Sequence, residues 1–589
     1  MSIESISANT GSEANGTTAE RQFDALLRLT NLVNRADAGI LSSFALTLDD
    51  ADQRTQVIRE DGKIYTYSYD AIGQLTNASA ALPDGTPWSG YQFSYAYDAT
   101  GNPVEQNKNG LVYSNSFNNL NQNAETRFAG ALAALGTYAS PLAATVTVNN
   151  VQAQLHDGDW AATGIPFVQG TNALARTIQD LAGRSSAVTS TVVVADRAYA
   201  YDANGNMTTN GVFTYVWDCE NRLIEVWKNG ALVQSNRYDA LWRRREKIEY
   251  SSDGTAVTNR YIYKDWLVLA ITDGSGAPLE TYTHGADLSG HVGGKAGGIG
   301  GILTSTQSGT AAIYHYDFNG NIVNVASSNQ SLQASFTYSV FGEVLHNEGT
   351  FSSLYQFSSK EYDVAAGLIY YGYRFFSASL ARWLNRDPIG ESNDLALYCF
   401  VHNTPPNLVD TKGLEWWKPS SWGNADSVPR DDERWNDPNH VRADNCYEYA
   451  WNRHGNPNDP NNDASFMQPG DYSGQRYSQI TCDEITRRAK ADGMIDAGGS
   501  SSEPCCPDGY HLVYLVVAPY DDYHWYRKDS KAFWKFWRGH RWSHKPGQTP
   551  VTELDASEKL IYDPAQADTD YSRKGGPNYQ KCGYLCAPN

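Results

Sequence analysis

Tyr65-Thr-Tyr-Ser-Tyr69-Asp70-Ala-Ile-Gly73-Gln-Leu75 is the stretch whose reading decides the fold. Alternating aromatics make a strand with one buried face. Asp70 then opens a turn, and Gly73 supplies the positive φ that the turn needs. The chain returns as the second strand of a hairpin. Copies recur from Phe93 to Asn102, Tyr199 to Asn206, Phe213 to Leu223, Tyr314 to Asn321 and Phe336 to Val344. One such hairpin cannot bury its aromatic face, whereas stacked hairpins form a long continuous sheet. The expected fold is mainly β: a curved β-shell of stacked Tyr-Asp hairpins over 48–354. An ordinary Tyr-rich antiparallel sandwich is the alternative.

Composition points the same way, since 38 Tyr and 50 Gly against 4 Met favour short strands and tight turns. The formal net charge of -20 argues against wholesale binding of nucleic acid. No run of 18 apolar residues exists, so no spanning helix is expected. The first twenty residues lack a basic n-region and an apolar h-region, so they do not read as a secretory signal peptide. Localisation stays open between the cytoplasm and a surface reached by a non-Sec route. Residues 1–47 read as a lead-in, with Leu26, Leu27, Leu29 and Leu32 predicting a short helix over Phe23 to Val33. The Ala-, Thr- and Val-rich stretch 125–190 lacks Tyr-Asp pairs and reads as irregular strand. Gly293 to Gly301 (GGKAGGIGG) lacks the GK[ST] of a phosphate-cradling loop and reads as a structural loop.

From Tyr355 the text changes. It runs through Gly367-Leu368-Ile-Tyr370-Tyr371-x-Tyr373-Arg374 and Arg382-Trp383-Leu-Asn-Arg386-Asp387-Pro388-Ile-Gly390 to Tyr398, Asn403, Pro405, Asp410 and Gly413-Leu414. Residues 355–414 closely resemble the RHS repeat-associated core of the YD-repeat family. The resemblance implies a polymorphic toxin whose repeats spiral into a hollow shell, plugged by the core and enclosing a variable C-terminal toxin. It also implies self-cleavage by two core aspartates, here Asp387 and Asp410, with the cut between Leu414 and Glu415. Two carboxylates sharing a proton can activate water and protonate a leaving amide. Arg386, beside Asp387, could hold one of them ionised. In a purely structural role, Asp387-Pro388 and Asp410-x-x-Gly413 are both good turn sequences.

Residues 415–589 hold six of the eight cysteines and read as a small α+β effector domain. Asp444 or Asn445 can cap a helix, with Cys446 in its first turn and its thiol pKa expected to be lowered. His511 to Ala518 predicts an apolar strand, Tyr523 to Arg527 its partner and Trp542 to Gly547 a third. A Cys at a helix start with a later His on a sheet resembles papain-like and NlpC/P60-like cysteine hydrolases. That resemblance implies Cys446 as nucleophile, His524 as base and His544 or Asp555 as the group that orients it, acting on a peptide or peptidoglycan amide. Alternatively Cys446 is half of a disulfide, for example with Cys482. Cys505, Cys506, Cys582 and Cys586 suit disulfides better than zinc, because paired CxxC spacing is missing. No cofactor and no metal is called for. The basic, aromatic stretch from Arg527 to Lys545 keeps a nuclease or nucleic-acid-binding tip as a rival, and a surface adhesin with a disulfide-rich tip is the non-enzymatic reading. The partners implied are a target-cell substrate, an immunity protein, and carbohydrate or peptidoglycan.

Overall fold

The computed structural model describes most of residues 6–588; the longest stretches outside the described residues are 418–427, 430–444, 452–467 and 531–540. Two compact units result, Met1–Pro419 and Ser420–Asn589. The first unit is a β-shell built from two long antiparallel sheets. Eleven strands run in sequence order from Ile6–Ser12 to Asn123–Gly130, with Arg197–Ala198 as the twelfth, and fourteen follow from Ala200–Tyr201 to Val344–Gly349.

The turn chemistry repeats with little change. Asp70 Oδ1 accepts the backbone N–H groups of Ile72 and Gln74, and Gly73, at φ 87°, donates its N–H to the Asp70 carbonyl. Asp98, Asp202, Asp218, Asp239 and Asp317 do the same. The tyrosine before the aspartate has its own task. Tyr97 Oη donates to the Leu75 carbonyl at 2.8 Å, Tyr238 to Leu223 at 2.6 Å and Tyr338 to Ile322 at 2.7 Å. Each ring packs against the core, Tyr338 buried and Tyr97 and Tyr238 partly so, while its hydroxyl is satisfied on an earlier strand, which fixes the register of neighbouring hairpins.

The segment Phe23 to Val33 is not a helix. Thr18–Phe23 and Leu29–Ala36 are paired strands. Where the strands connect, Asp24 accepts the Arg28 N–H at 2.9 Å and its Nε at 2.7 Å, bonds that the shell aspartate Asp218 also makes. The stretch 125–190 is also more regular than expected. Gly170–Asp180 and Ser185–Val194 form an unbroken hairpin, and Val146, Trp160 and Ile165 bury a small core of their own.

The residues after 354 pack on the inner faces of both long sheets: Phe376, Trp383 and Phe400 share one core with Phe44, Tyr95, Tyr261 and Phe336. A buried charge cluster ties the two parts together. Arg244 meets Asp363 at 2.6 Å and Glu361 at 2.7 Å, and Lys247 meets Glu361 at 2.9 Å. The second unit centres on Tyr510–Ala518, flanked by Asp522–Ser530 and Gln580–Pro588. The helices Cys446–Ala450 and Cys482–Ala491 cover one face. Disulfides Cys482–Cys582 and Cys506–Cys586 tie its last strand to the rest. Among the described residues no helix is long and apolar enough to cross a membrane.

Candidate functional sites

The hairpin that ends the core brings the two aspartates together. Val409–Asp410 pairs with Trp416–Trp417, placing Asp410 opposite Trp416, with residues 411–414 running into the turn. Asp410 is buried, and its Oδ1 accepts the N–H groups of Lys412, Gly413 and Leu414 at 3.1, 2.6 and 3.2 Å. Arg374 Nη2 lies 2.9 Å from Asp387 Oδ2 and 3.5 Å from Asp410 Oδ2. One guanidinium therefore bridges the pair, stacked 4.2 Å over the Trp383 ring. Burial pushes the Asp410 carboxyl up to about 6, against the pull of Arg374 and the three N–H groups.

The turn is gripped at each successive carbonyl. Lys360 Nζ donates to Thr411 at 2.6 Å, the Tyr373 N–H to Lys412 at 3.0 Å and Arg374 Nε to Gly413 at 2.6 Å. The next carbonyl is that of Leu414, and Glu415 lies outside the described residues. Arg386 is exposed and faces the turn of Gly205 and the Tyr398 hydroxyl. The guanidinium that meets Asp387 is that of Arg374, which sequence reasoning did not single out.

In the second unit Asn445 caps the helix, accepting the N–H groups of Tyr447 and Glu448. Cys446 stands in the first turn as expected, but its thiol is buried and pushed up to about 12 by burial and by the Asp522 charge. The cap outlined in the sequence is outweighed by desolvation. Cys446 is free, since Cys482 is bonded to Cys582. Strand parity separates Cys446 from His524. Tyr523 and Trp525 pack with Cys446 under the helices, whereas Tyr526 packs in the cluster on the other face. His524 points with Tyr526 to that second face, where its ring lies 4.9 Å from the His544 ring.

There the structure does bring His524 and His544 together. His524 Nε2 and His544 Nδ1 are 2.7 Å apart, and His544 Nε2 is 2.9 Å from the Leu554 carbonyl. Burial lowers both pKa values, that of His544 to about 4, so both rings are neutral. A carbonyl only accepts, so His544 Nε2 carries its proton and Nδ1 is bare. His524 must then donate through Nε2, which leaves its own Nδ1 with a lone pair. Asp555 does not hold the ring directly. Its carboxylate accepts the N–H groups of Ser557, Lys559 and Asp568 and so braces the loop that carries Leu554. In the basic stretch, Arg527 is buried, stacked 3.8 Å from the Tyr449 ring centre, and Lys545 is buried too; residues 531–540 lie outside the described residues.

Stacked Tyr-Asp hairpins around an aromatic core, with two aspartates bridged by Arg374, define a class: a mainly antiparallel β-shell protein. No family model matches the chain. The tRNA3(Ser)-specific nuclease WapA of Bacillus spizizenii is 29% identical over 234 residues, 38% of this chain and 9% of that protein. The insoluble matrix shell protein 1 of Ruditapes philippinarum is 35% identical over 136 residues, 23% of this chain and 78% of that protein. The toxin subunit YenC2 of Yersinia entomophaga is 40% identical over 73 residues, 12% of this chain and 7% of that protein. Over part of its length the chain is similar to RHS, toxin-type proteins such as WapA and YenC2, and it covers most of the Ruditapes philippinarum protein. It spans 9% of the length of the WapA relative.

Proposed function

We propose that this chain is a self-releasing RHS toxin segment: Asp387 and Asp410 hydrolyse the Leu414–Glu415 peptide bond and free an effector, residues 415–589. The observation that carries the reading is the grip on the turn. Three successive carbonyls are pinned and the next belongs to Leu414, beside two aspartates bridged by Arg374. Asp387, closer to Arg374, is the ionised base, and Asp410, with its raised pKa, holds the shared proton. Asp387 takes a proton from water as the water oxygen bonds to the Leu414 carbonyl carbon. Asp410 gives its proton to the carbonyl oxygen. The C–N bond then breaks as Asp387 passes its proton to the Glu415 nitrogen and Asp410 takes one back from a hydroxyl of the tetrahedral carbon, leaving Leu414 with a carboxyl group and both aspartates as they began. A gel time course of the full chain tests this: wild type separates into two fragments, and Asp387→Asn and Asp410→Asn stay whole. A whole wild-type chain, or variants that cut as fast, refutes it.

For the effector, the bare Nδ1 of His524 supports a neutral imidazole base. His524 faces away from Cys446, and His511, on the Cys446 side of the strand, is engaged with the Ala450 carbonyl, which weighs against thiol chemistry. The name of the WapA relative, a tRNA-specific nuclease, favours a phosphodiester substrate over an amide. A target-cell substrate and an immunity protein fit this reading. Incubating the full chain with total tRNA and with peptidoglycan separates the readings. Loss of tRNA, abolished by His524→Ala, supports the nuclease. Peptidoglycan cleavage abolished by Cys446→Ala would restore the cysteine hydrolase.

A further inference from the structure

We infer that Lys360 is a positioning residue of the self-cleavage site, holding the scissile turn through the Thr411 carbonyl and setting the charge balance of Asp410. The inference rests on the self-cleavage reading and extends it to a residue outside the aspartate pair.

Lys360 stands at the start of the core, fifty residues before Asp410 in sequence. Its Nζ reaches the Thr411 carbonyl at 2.6 Å and the Gly297 carbonyl at 3.3 Å. The glycine-rich loop 293–301 thereby gains a role. Gly297 sits at φ 61°, and a Cβ there would lie 2.8 Å from the Thr411 oxygen. Only a residue without a side chain lets this loop approach the cleavage turn so closely. The ammonium and the loop backbone together fix where Thr411 stands, while the Tyr373 N–H and Arg374 fix the next two carbonyls.

The amine faces few charges. Asp410 and Lys412 reach it from the cleavage turn and Asp287 from the strand connection below, while the Tyr371 ring centre is 5.8 Å away. Glu361, next in the chain, is taken by Arg244 and Lys247. The cavity beside it is lined by Trp266, His284, Tyr371, Glu361 and Lys412 among others. Burial and Lys412 bring the Lys360 ammonium down to about 8, with Asp410 opposing. At the acidic pH where Asp410 carries its proton, Lys360 is charged. A cation beside a carboxyl favours the ionised form, so Lys360 holds down the pH at which Asp410 gives up its proton.

The test is the self-cleavage rate of the full chain from pH 4 to 8, for wild type, Lys360→Met, Lys360→Arg and Gly297→Ala. Lys360→Met is expected to slow the cut by about tenfold or more. It is also expected to move the alkaline limb of the profile up by about half a pH unit or more, because a cation near Asp410 is gone. Lys360→Arg keeps the limb in place and recovers part of the rate. Gly297→Ala, which pushes on Thr411 without touching the charge, slows the cut with the limb unmoved, and so reports the clamp even if Lys360→Met folds poorly. A wild-type chain that does not cut overturns the self-cleavage reading and this inference with it. A wild type that cuts, with Lys360→Met matching its rate and limb, overturns this inference alone.

Discussion

The proton that self-cleavage needs sits, on this account, on Asp410, and pH is the cleanest perturbation of it. Burial raises the carboxyl from an ordinary 3.8 to about 6. That displacement corresponds to roughly 3 kcal/mol for holding the group ionised in the fold. The sign follows from a raised folded-state value. The carboxyl contributes its stability below pH 3.8 and loses it as pH rises through about 6. The same protonation governs the rate. At pH 6 about half of the molecules carry the proton, at pH 7 about a tenth and at pH 8 about a hundredth. The first-order rate of fragment release should therefore fall about tenfold per pH step above 6. The assay refolds full-length chain from urea into buffers from pH 5 to 8 and follows the fragment on gels. A rate that is flat or rising between pH 6 and 8 would show that Asp410 is not the proton donor.

Other consequences are as concrete. Arg244→Met removes the cation that bridges the buried carboxylates of Glu361 and Asp363, leaving Lys247 to pair with both, and should cost the shell about 3–5 kcal/mol in urea unfolding; a loss below about 1 kcal/mol would contradict the buried network. A thiol reagent should label exposed Cys219 in the native chain and reach Cys446 only after denaturation, given its burial and its thiol at about 12; rapid native labelling of Cys446 would restore it as a nucleophile candidate. Removing Cys506–Cys586, which closes a span of 80 residues, should destabilise the second unit by about 2–5 kcal/mol. The buried, neutral His524 and His544 should make the second unit lose stability as pH falls from 6.5 towards 4; near-ultraviolet circular dichroism unchanged across that range would argue against their burial.

The repeat was legible because its turn is local: Tyr-Asp-x-x-Gly carries strand, turn and return in five residues. The misread helix at Phe23 to Val33 shows the limit of that rule. Its turn places Arg28 four residues after Asp24, as Arg222 follows Asp218 and Arg243 follows Asp239, but leucine spacing outweighed this weaker signal. The aspartate pair could be named from the core motif, whereas Arg374 could not be chosen over Arg386. Which of two nearby arginines turns inward is decided by aromatic packing against Trp383, and nothing in the local sequence records it. The same holds for Cys446 and His524. The strand Tyr510–Ala518 is buried on both faces, so its sequence does not alternate, and the face each neighbour occupies is unreadable before folding. Cysteine connectivity is likewise a property of the folded chain.

The central claim is tested most directly by one measurement: the intact mass of both products after the folded chain has been incubated at pH 5–6, with the N-terminal residue of the smaller product sequenced. The account predicts one product ending at Leu414 and another beginning at Glu415, neither formed by Asp387→Asn. A single mass for the uncut chain, or a cut at any other bond, would contradict it.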